Sequence, residues 1–208
     1  MKARSQQAPA QAPARVGAPR MAAREVRIIG GLWKRSKLPV ADSPGLRPTP
    51  DRVRETLFNW LGPRVPGARV LDLFAGSGAL GLEALSRGAA AVSFIEKDAH
   101  AAQALRELLG VWGARGAQVF QCDALRYLAG PPAPADLVFL DPPFDSQLLV
   151  PALAGLAGGW LAAGALLYVE LAARASLPEL PAGWRAVRAK RAGEVGYHLL
   201  QTGGSSRP

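Results

Sequence analysis

The stretch Asp141-Pro142-Pro143-Phe144 follows directly on Asp136–Leu140, which reads as a strand. Two consecutive prolines fix two φ angles and bring no backbone N–H. Their carbonyls therefore form a stiff row of acceptors beside a carboxylate and an aromatic ring. Such a row suits an exocyclic amino group on a nucleobase, a poor nucleophile because its lone pair is delocalised into the ring. Asp141 and the Pro142 carbonyl can hold both N–H bonds and turn the lone pair toward an electrophile. They also stabilise the positive charge that grows on nitrogen during attack. Phe144 can stack on an extruded base. Asp141, Pro142, Pro143 and Phe144 are the candidate catalytic residues.

A second stretch, Arg69–Gly81, supplies a candidate for the other reactant. Val70, Leu71, Leu73 and Phe74 read as a buried strand, broken at Gly76-Ser77-Gly78. Ala79–Ser86 then resumes with helix formers and Leu at positions 80, 82 and 85. Strand, glycine turn and helix open a nucleotide-binding βαβ unit, and Gly76, Gly78 and Gly81 match G-x-G-x-x-G. Glycines also make ordinary tight turns, so the spacing alone decides nothing. Asp72 carries more weight. A carboxylate inside an apolar strand is costly without a partner, and beside a pyrophosphate it would meet like charge. A ligand with cations removes the conflict, and S-adenosylmethionine has an ammonium and a sulfonium. The residues expected around this donor are Asp72, Phe74, Ala75, Gly76, Ser77 and Gly78.

Two more acids end or follow runs that read as strands. Val92–Ile95 ends at Glu96, 20 residues beyond Gly76, where a carboxylate can accept from both hydroxyls of a ribose cis-diol. Ala117–Cys122 is followed by Asp123 and Ala124. Asp123 can receive an adenine amino group, cap the short helix Ala124–Leu128, or do both. Leu148–Leu156 reads as a helix, Ala165–Glu170 as a further strand, and Trp184–Lys190 with Tyr197–Gln201 as a closing antiparallel pair. The alternation predicts a doubly wound, mostly parallel α/β sheet. Ligands gather at the carboxyl ends of strands in such sheets. Asp72, Glu96, Asp123 and Asp141 then share one crevice.

At 208 residues and 49% hydrophobic content the chain supports one substantial core. No apolar run reaches the length of a membrane span. Cys122 is the single cysteine, so neither an internal disulfide nor a cysteine zinc cluster is available, and a reducing cytoplasm is the natural setting. His100 and His198 read as structural, and no metal is expected. Residues 1–64 carry 13 Lys/Arg against 4 Asp/Glu, while residues 65–208 carry 12 of each, so the whole net charge of +9 lies at the N-terminal side. That segregation points to a polyanion docked there.

Residues 1–20, rich in Ala, Pro, Gln and Arg, read as a disordered basic tail, with Met21 an alternative start. Arg27–Val40 places apolar pieces on both sides of Gly30-Gly31, a hairpin signature. Lys34, Arg35 and Lys37 cluster around Trp33, which either stacks on an RNA base or anchors the ribbon to the main domain. After the loop Ser43–Pro48, Thr49 is expected to cap a helix with Pro50 at its first position. Val53, Leu57, Trp60 and Leu61 share its apolar face, and Gly62 ends it. Arg52 and Arg54 lie off that stripe, available to phosphates or solvated.

The chain resembles the bacterial small-subunit ribosomal RNA (guanine-N2)-methyltransferase D family. The resemblance rests on Arg-Ile-Ile-Gly-Gly-x-Trp, Gly-Leu-Arg-Pro-Thr, Asp-Arg-Val-Arg-Glu-Thr-Leu-Phe-Asn-Trp-Leu, Phe-Ala-Gly-Ser-Gly-Ala-Leu-Gly-Leu-Glu-Ala-Leu-Ser-Arg and Asp-Pro-Pro-Phe, and it covers about residues 26–201. It implies a Rossmann-like S-adenosylmethionine-dependent methyltransferase fold with a seven-stranded sheet and a small basic N-terminal extension. It also implies methylation of guanine N2 in 16S rRNA, on the RNA or on a small-subunit assembly particle, with Thr49 near the methionine end of the donor; a cytoplasmic monomer is expected. The expected division is a tail at 1–25, an RNA-docking extension at 26–64 and a methyltransferase domain at 65–203. The expected RNA contacts are Arg27, Trp33, Lys34, Arg35, Lys37, Arg47, Arg52 and Arg54. Three rivals remain at this stage: a DNA adenine-N6 methyltransferase, a non-catalytic RNA-binding assembly factor and a nicotinamide-dependent oxidoreductase, the last disfavoured by Asp72.

Overall fold

The structure is a computed structural model that describes residues 26–38, 50–144 and 146–203. The expected tail, the loop at 43–48 with Arg47, and Thr49 lie outside the described residues. In chain order the elements are β1 (Val26–Arg27), β2 (Lys37–Leu38), α1 (Asp51–Leu61), β3 (Arg69–Asp72), α2 (Ala79–Ser86), β4 (Ala91–Glu96) and α3 (Ala99–Val111). They continue with β5 (Ala117–Gln121), α4 (Ala124–Leu128), β6 (Ala135–Leu140), α5 (Leu149–Leu156), β7 (Leu161–Ala172), β8 (Arg185–Ala192) and β9 (Val195–Gln201).

β1 and β2 form the expected antiparallel hairpin. The other seven strands make one sheet in the order β5-β4-β3-β6-β7-β9-β8. The first five are parallel, and β9 and β8 close the edge antiparallel. Strand order reverses between β3 and β6, which creates a crevice at their carboxyl ends. This is the Rossmann-like methyltransferase fold.

Residue alternation along the strands assigns two apolar faces. Val70, Phe94, Leu137, Phe139, Leu166 and Tyr168 face a core completed by the hairpin, α1, α2 and α3. Leu71, Ile95, Val138, Leu140, Leu167 and Val169 face the second core, under α4 and α5. Strands buried on both faces explain the near-continuous apolar runs of the sequence. β7 extends beyond the expected 165–170 at both ends.

α1 begins one residue later than expected. Pro50 is the N-cap and its carbonyl accepts from the N–H groups of Val53 and Arg54, with no side-chain cap. Gly62 ends the helix at φ 47°. Asp98 caps α3, accepting from Ala101 N–H at 2.8 Å.

Every residue of α2 is buried, because the hairpin covers the side that the sheet does not. Glu83 makes this possible. Its carboxylate is fully buried and accepts from the backbone N–H of Ile29 at 2.7 Å, of Gly30 at 2.9 Å and from Arg87 Nε at 2.6 Å. Arg54 Nη1 lies 3.8 Å away. Arg54 is itself completely buried, and its Nη2 donates to the Arg27 carbonyl and to Asp51, each at 2.7 Å. Arg54 is therefore not an exposed cation available to phosphates, contrary to expectation; it ties α1 to the hairpin. Ser86 completes the seam, taking the N–H of Trp33 on its hydroxyl and that of Leu32 on its carbonyl. Gly31, at φ 77°, passes so close to the Ser86 carbonyl that a β-carbon would overlap it.

Removing one partner of a buried charge pair leaves the other uncompensated, at a cost of about 3–5 kcal/mol. Glu83→Ala is therefore expected to lower the urea unfolding midpoint by that equivalent. Glu83→Gln, which keeps an acceptor oxygen, is expected to lose less. Unchanged midpoints in both would show that the hairpin seam contributes little to the fold.

Candidate active site

The crevice opens at the carboxyl ends of β3, β4, β5 and β6, where Asp72, Glu96, Asp123 and Asp141 lie. β3 ends at Asp72, and Leu73 N–H still bonds the Phe139 carbonyl of β6 at 3.1 Å. The chain then turns through Gly76 (φ 51°) and Gly78 (φ 75°) into α2. Two backbone bonds fasten this loop: Ala75 N–H to the Ile95 carbonyl at 2.9 Å and Gly78 N–H to the Ala75 carbonyl at 2.7 Å. Phe74 and Ser77 are half-buried, and Ala75, Gly76 and Gly78 buried.

Asp72 shares the face of Val70, so its side chain meets α2. It is 3% exposed and accepts from Gly81 N–H at 3.0 Å. Gly81 permits this approach, since a β-carbon there would overlap the Phe94 ring. Burial, opposed by the Gly81 N–H and reinforced by Glu96, pushes the Asp72 carboxyl up to about 7. It thus sits at the balance between neutral and charged near neutrality, ready to be drawn into its anionic form by a cation.

Glu96 bridges two segments. One oxygen accepts from Gly76 N–H and the other from Asp98 N–H, both at 2.7 Å. This fixes the carboxylate at the edge of the glycine loop, half-exposed, with lone pairs remaining on both oxygens for a diol. Asp123 is exposed, and one of its oxygens caps α4 by accepting from Leu125 and Arg126 at 2.9 and 3.1 Å. Ala124 beside it is buried. Cys122 N–H bonds the Glu96 carbonyl at 3.1 Å, tying the ends of β4 and β5 together. Burial, helped by Asp123, pushes the Cys122 thiol up, away from reactive thiolate.

On the other side of the switch point, Asp141 is half-buried and Pro142 buried, whereas Phe144 is 44% exposed. A cavity of about 650 Å³ opens beside Pro142 and Phe144, lined also by Pro143, Gln147, Val150 and Glu170 among others. An aromatic ring exposed at the rim of a cavity is placed to stack. One expectation needs correction: the Pro143 carbonyl already accepts from Ser146 N–H at 2.9 Å and from its hydroxyl at 2.6 Å. Both lone pairs are used to build the turn, so the Pro143 carbonyl serves geometry and is not a ligand acceptor.

Trp33 takes the anchoring role, packed against Trp112 with ring centroids 5.1 Å apart. Lys34, Arg35, Lys37, Arg52 and the Arg27 side are exposed. The hairpin turn sits on Ser86, at the far end of α2 from the glycine loop.

Sequence reasoning missed Glu170 and Tyr168. Glu170 is 3% exposed on β7, and the Tyr168 hydroxyl donates to it at 2.8 Å. Burial, then the neighbouring Glu170 and Asp141 carboxylates, raise the Tyr168 phenol well above its usual value, so it stays a donor. The signal was the one that singled out Asp72: an acid inside an apolar strand.

The family model described as "Conserved hypothetical protein 95" matches residues 26–201. The chain is 52% identical over 178 residues to ribosomal RNA small subunit methyltransferase D of Escherichia coli K12, covering 85% of this chain and 90% of that protein. It is 46% identical over 182 residues to the protein of that name in Haemophilus influenzae, covering 85% and 94%. The solved structure of the putative methyltransferase yhhF from Escherichia coli superposes with a TM-score of 0.82 at 47% identity, covering 88% of this chain and 100% of that one. With the glycine loop, the four strand-end acids and the Asp-Pro-Pro-Phe turn at the carboxyl end of one sheet, and with this match over residues 26–201, the chain belongs to the ribosomal RNA small subunit methyltransferase D family.

Proposed function

We propose that the protein transfers a methyl group from S-adenosylmethionine to the exocyclic N2 of a guanine in 16S rRNA. The observation that carries this reading is the convergence of Asp72, Glu96, Asp123 and Asp141 on adjacent parallel strands at the switch point. One crevice then presents acceptors for a cationic nucleoside beside acceptors for a base amino group. The donor supplies an activated methyl on sulfur. Glu96 takes the ribose hydroxyls, Asp123 the adenine amino group, and the Gly76–Gly78 loop with Phe74 and Ala75 encloses the donor, with Thr49 contributing from the N-terminal side. Asp72 complements its positive charge. Phe144 stacks on the extruded guanine, while Asp141 and the Pro142 carbonyl accept from its amino group, interactions that strengthen as nitrogen gains charge. Arg27, Lys34, Arg35, Lys37, Arg47 and Arg52 face the RNA of a free transcript or an assembly particle, and the enzyme works as a cytoplasmic monomer.

Three outcomes test this. Asp141→Ala removes one acceptor and leaves the loop intact, so single-turnover methylation of 16S rRNA is expected to slow by about 10²–10³, with donor affinity nearly unchanged. A near-normal rate would place the acceptor elsewhere.

Asp72 couples pH to both stability and donor binding. Between its unfolded value of 3.8 and its folded value of about 7, the unfolded chain releases a proton that the folded protein retains. Stability then falls as pH rises through that window, by about 1.4 kcal/mol per unit, and is level above it. Donor affinity runs the other way, rising toward pH 7.5 as the carboxyl ionises. Asp72→Asn is expected to flatten both profiles in denaturation and calorimetry from pH 5 to 8.

The hairpin contacts RNA at a distance from the target base, since the eight residues of α2 separate Ser86 from the glycine loop by about 12 Å. Neutralising Lys34, Arg35 and Lys37 together is expected to raise KM, leave kcat alone and flatten the salt dependence of RNA binding by a slope of about 2. An unaltered slope would move the RNA to another face.

A further inference from the structure

We propose that Glu170 reads the N1–H of the target guanine beside Asp141, and so makes the site select a guanine edge over an adenine edge. This rests on the guanine-N2 reading above and assigns a residue to base choice, which Asp141 alone does not make. An acceptor pair at Asp141 and Pro142 would serve the N6 amino group of adenine equally well. The two bases differ at the adjacent ring nitrogen. Guanine presents N1–H there, a donor in line with its N2 amino group, whereas adenine presents a lone pair. An ionised carboxylate only accepts, so it welcomes the first and repels the second.

The structure puts a carboxylate in place beside Asp141. β6 and β7 run parallel with Leu140 opposite Val169. The next pair along the register is Asp141 and Glu170, on strands about 4.8 Å apart. Both lie on the same side of the sheet, following Phe139 and Tyr168, which belong to one apolar face. The influence of both carboxylates on the Tyr168 phenol shows that the three groups share one environment. The Tyr168 hydroxyl, donating at 2.8 Å, holds the Glu170 carboxylate in orientation. Glu170 also lines the cavity that Pro142 and Phe144 border. Two carboxylates side by side match the two adjacent donors of a guanine edge, N2–H to Asp141 and N1–H to Glu170.

The test uses an RNA in which the target guanine is replaced by 2-aminopurine, which keeps the amino group but presents a lone pair at N1. Single-turnover methylation of this RNA by the wild-type protein is expected to be slower than that of the guanine RNA by ten- to a hundred-fold, the range of one charge-assisted hydrogen bond. Glu170→Gln can donate its amide to that lone pair, so the gap is expected to close or invert. Equal wild-type rates on the two RNAs would overturn the proposal, and this comparison needs no variant. A Glu170→Gln protein that slows both RNAs by the same factor, leaving the ratio unchanged, would show a purely structural glutamate and overturn it too. A wild-type protein inactive on the guanine RNA itself would instead overturn the guanine-N2 reading beneath it.

Discussion

The Glu83 carboxylate is the constraint from which the N-terminal half of the molecule follows. A fully buried carboxylate is tolerated only when surrounded by donors and charge, and Glu83 draws two backbone N–H groups from the hairpin and two arginines toward itself. Those donors come from three separate segments, so satisfying one acid fixes the hairpin, α1 and α2 relative to one another. Arg87 adds to the seam by lying over the Phe58 ring at 4.9 Å. The hairpin is consequently a wall of the apolar core, contributing Val26, Ile28 and Leu38 to it. The site depends on the same seam. α2 carries the glycine loop at its start and offers Gly81 N–H to Asp72, so what holds Glu83 also holds the floor of the crevice.

The four strand-end acids have one sequence signature and four different environments. Asp72 is sealed against α2 and kept near its titration point by burial. Glu96 has one N–H on each oxygen, which orients it without exhausting its acceptors. Asp123 is exposed and spends one oxygen on a helix cap. Asp141 stands next to Tyr168 and Glu170. Crowding negative charge at one end of a sheet costs energy that a cationic ligand relieves, and a dinucleotide would not. Methyl transfer from a sulfonium suits the site for that reason.

Much of this was legible in the sequence because it is local. The bounds of α2 follow from glycines and leucines a few residues apart, and the caps at Gly62, Asp98 and Asp123 need only their neighbours. The breaks after the strand-like runs placed the acids at the strand ends. What was not legible is what depends on long-range pairing. Arg54 stands three, four and seven residues before Leu57, Phe58 and Leu61, so it belongs to the buried stripe of α1. Its charge made it read as surface, and only Glu83, 29 residues away in sequence, reverses that reading. Glu83 itself sits among helix formers where an acid is ordinarily exposed.

Segment charge misleads in the same way. Residues 65–208 sum to zero, yet the fold sorts them. Asp72 and Glu170 are buried, whereas Arg185, Arg188, Lys190 and Arg191 stand exposed along β8. Among the described residues β8 is an outer strand of the sheet, and a row of cations there opposes edge-to-edge pairing with another sheet. The electropositive surface of the molecule is thus wider than the N-terminal third that the residue counts single out. Net charge predicts the sign of a partner; burial decides which face meets it.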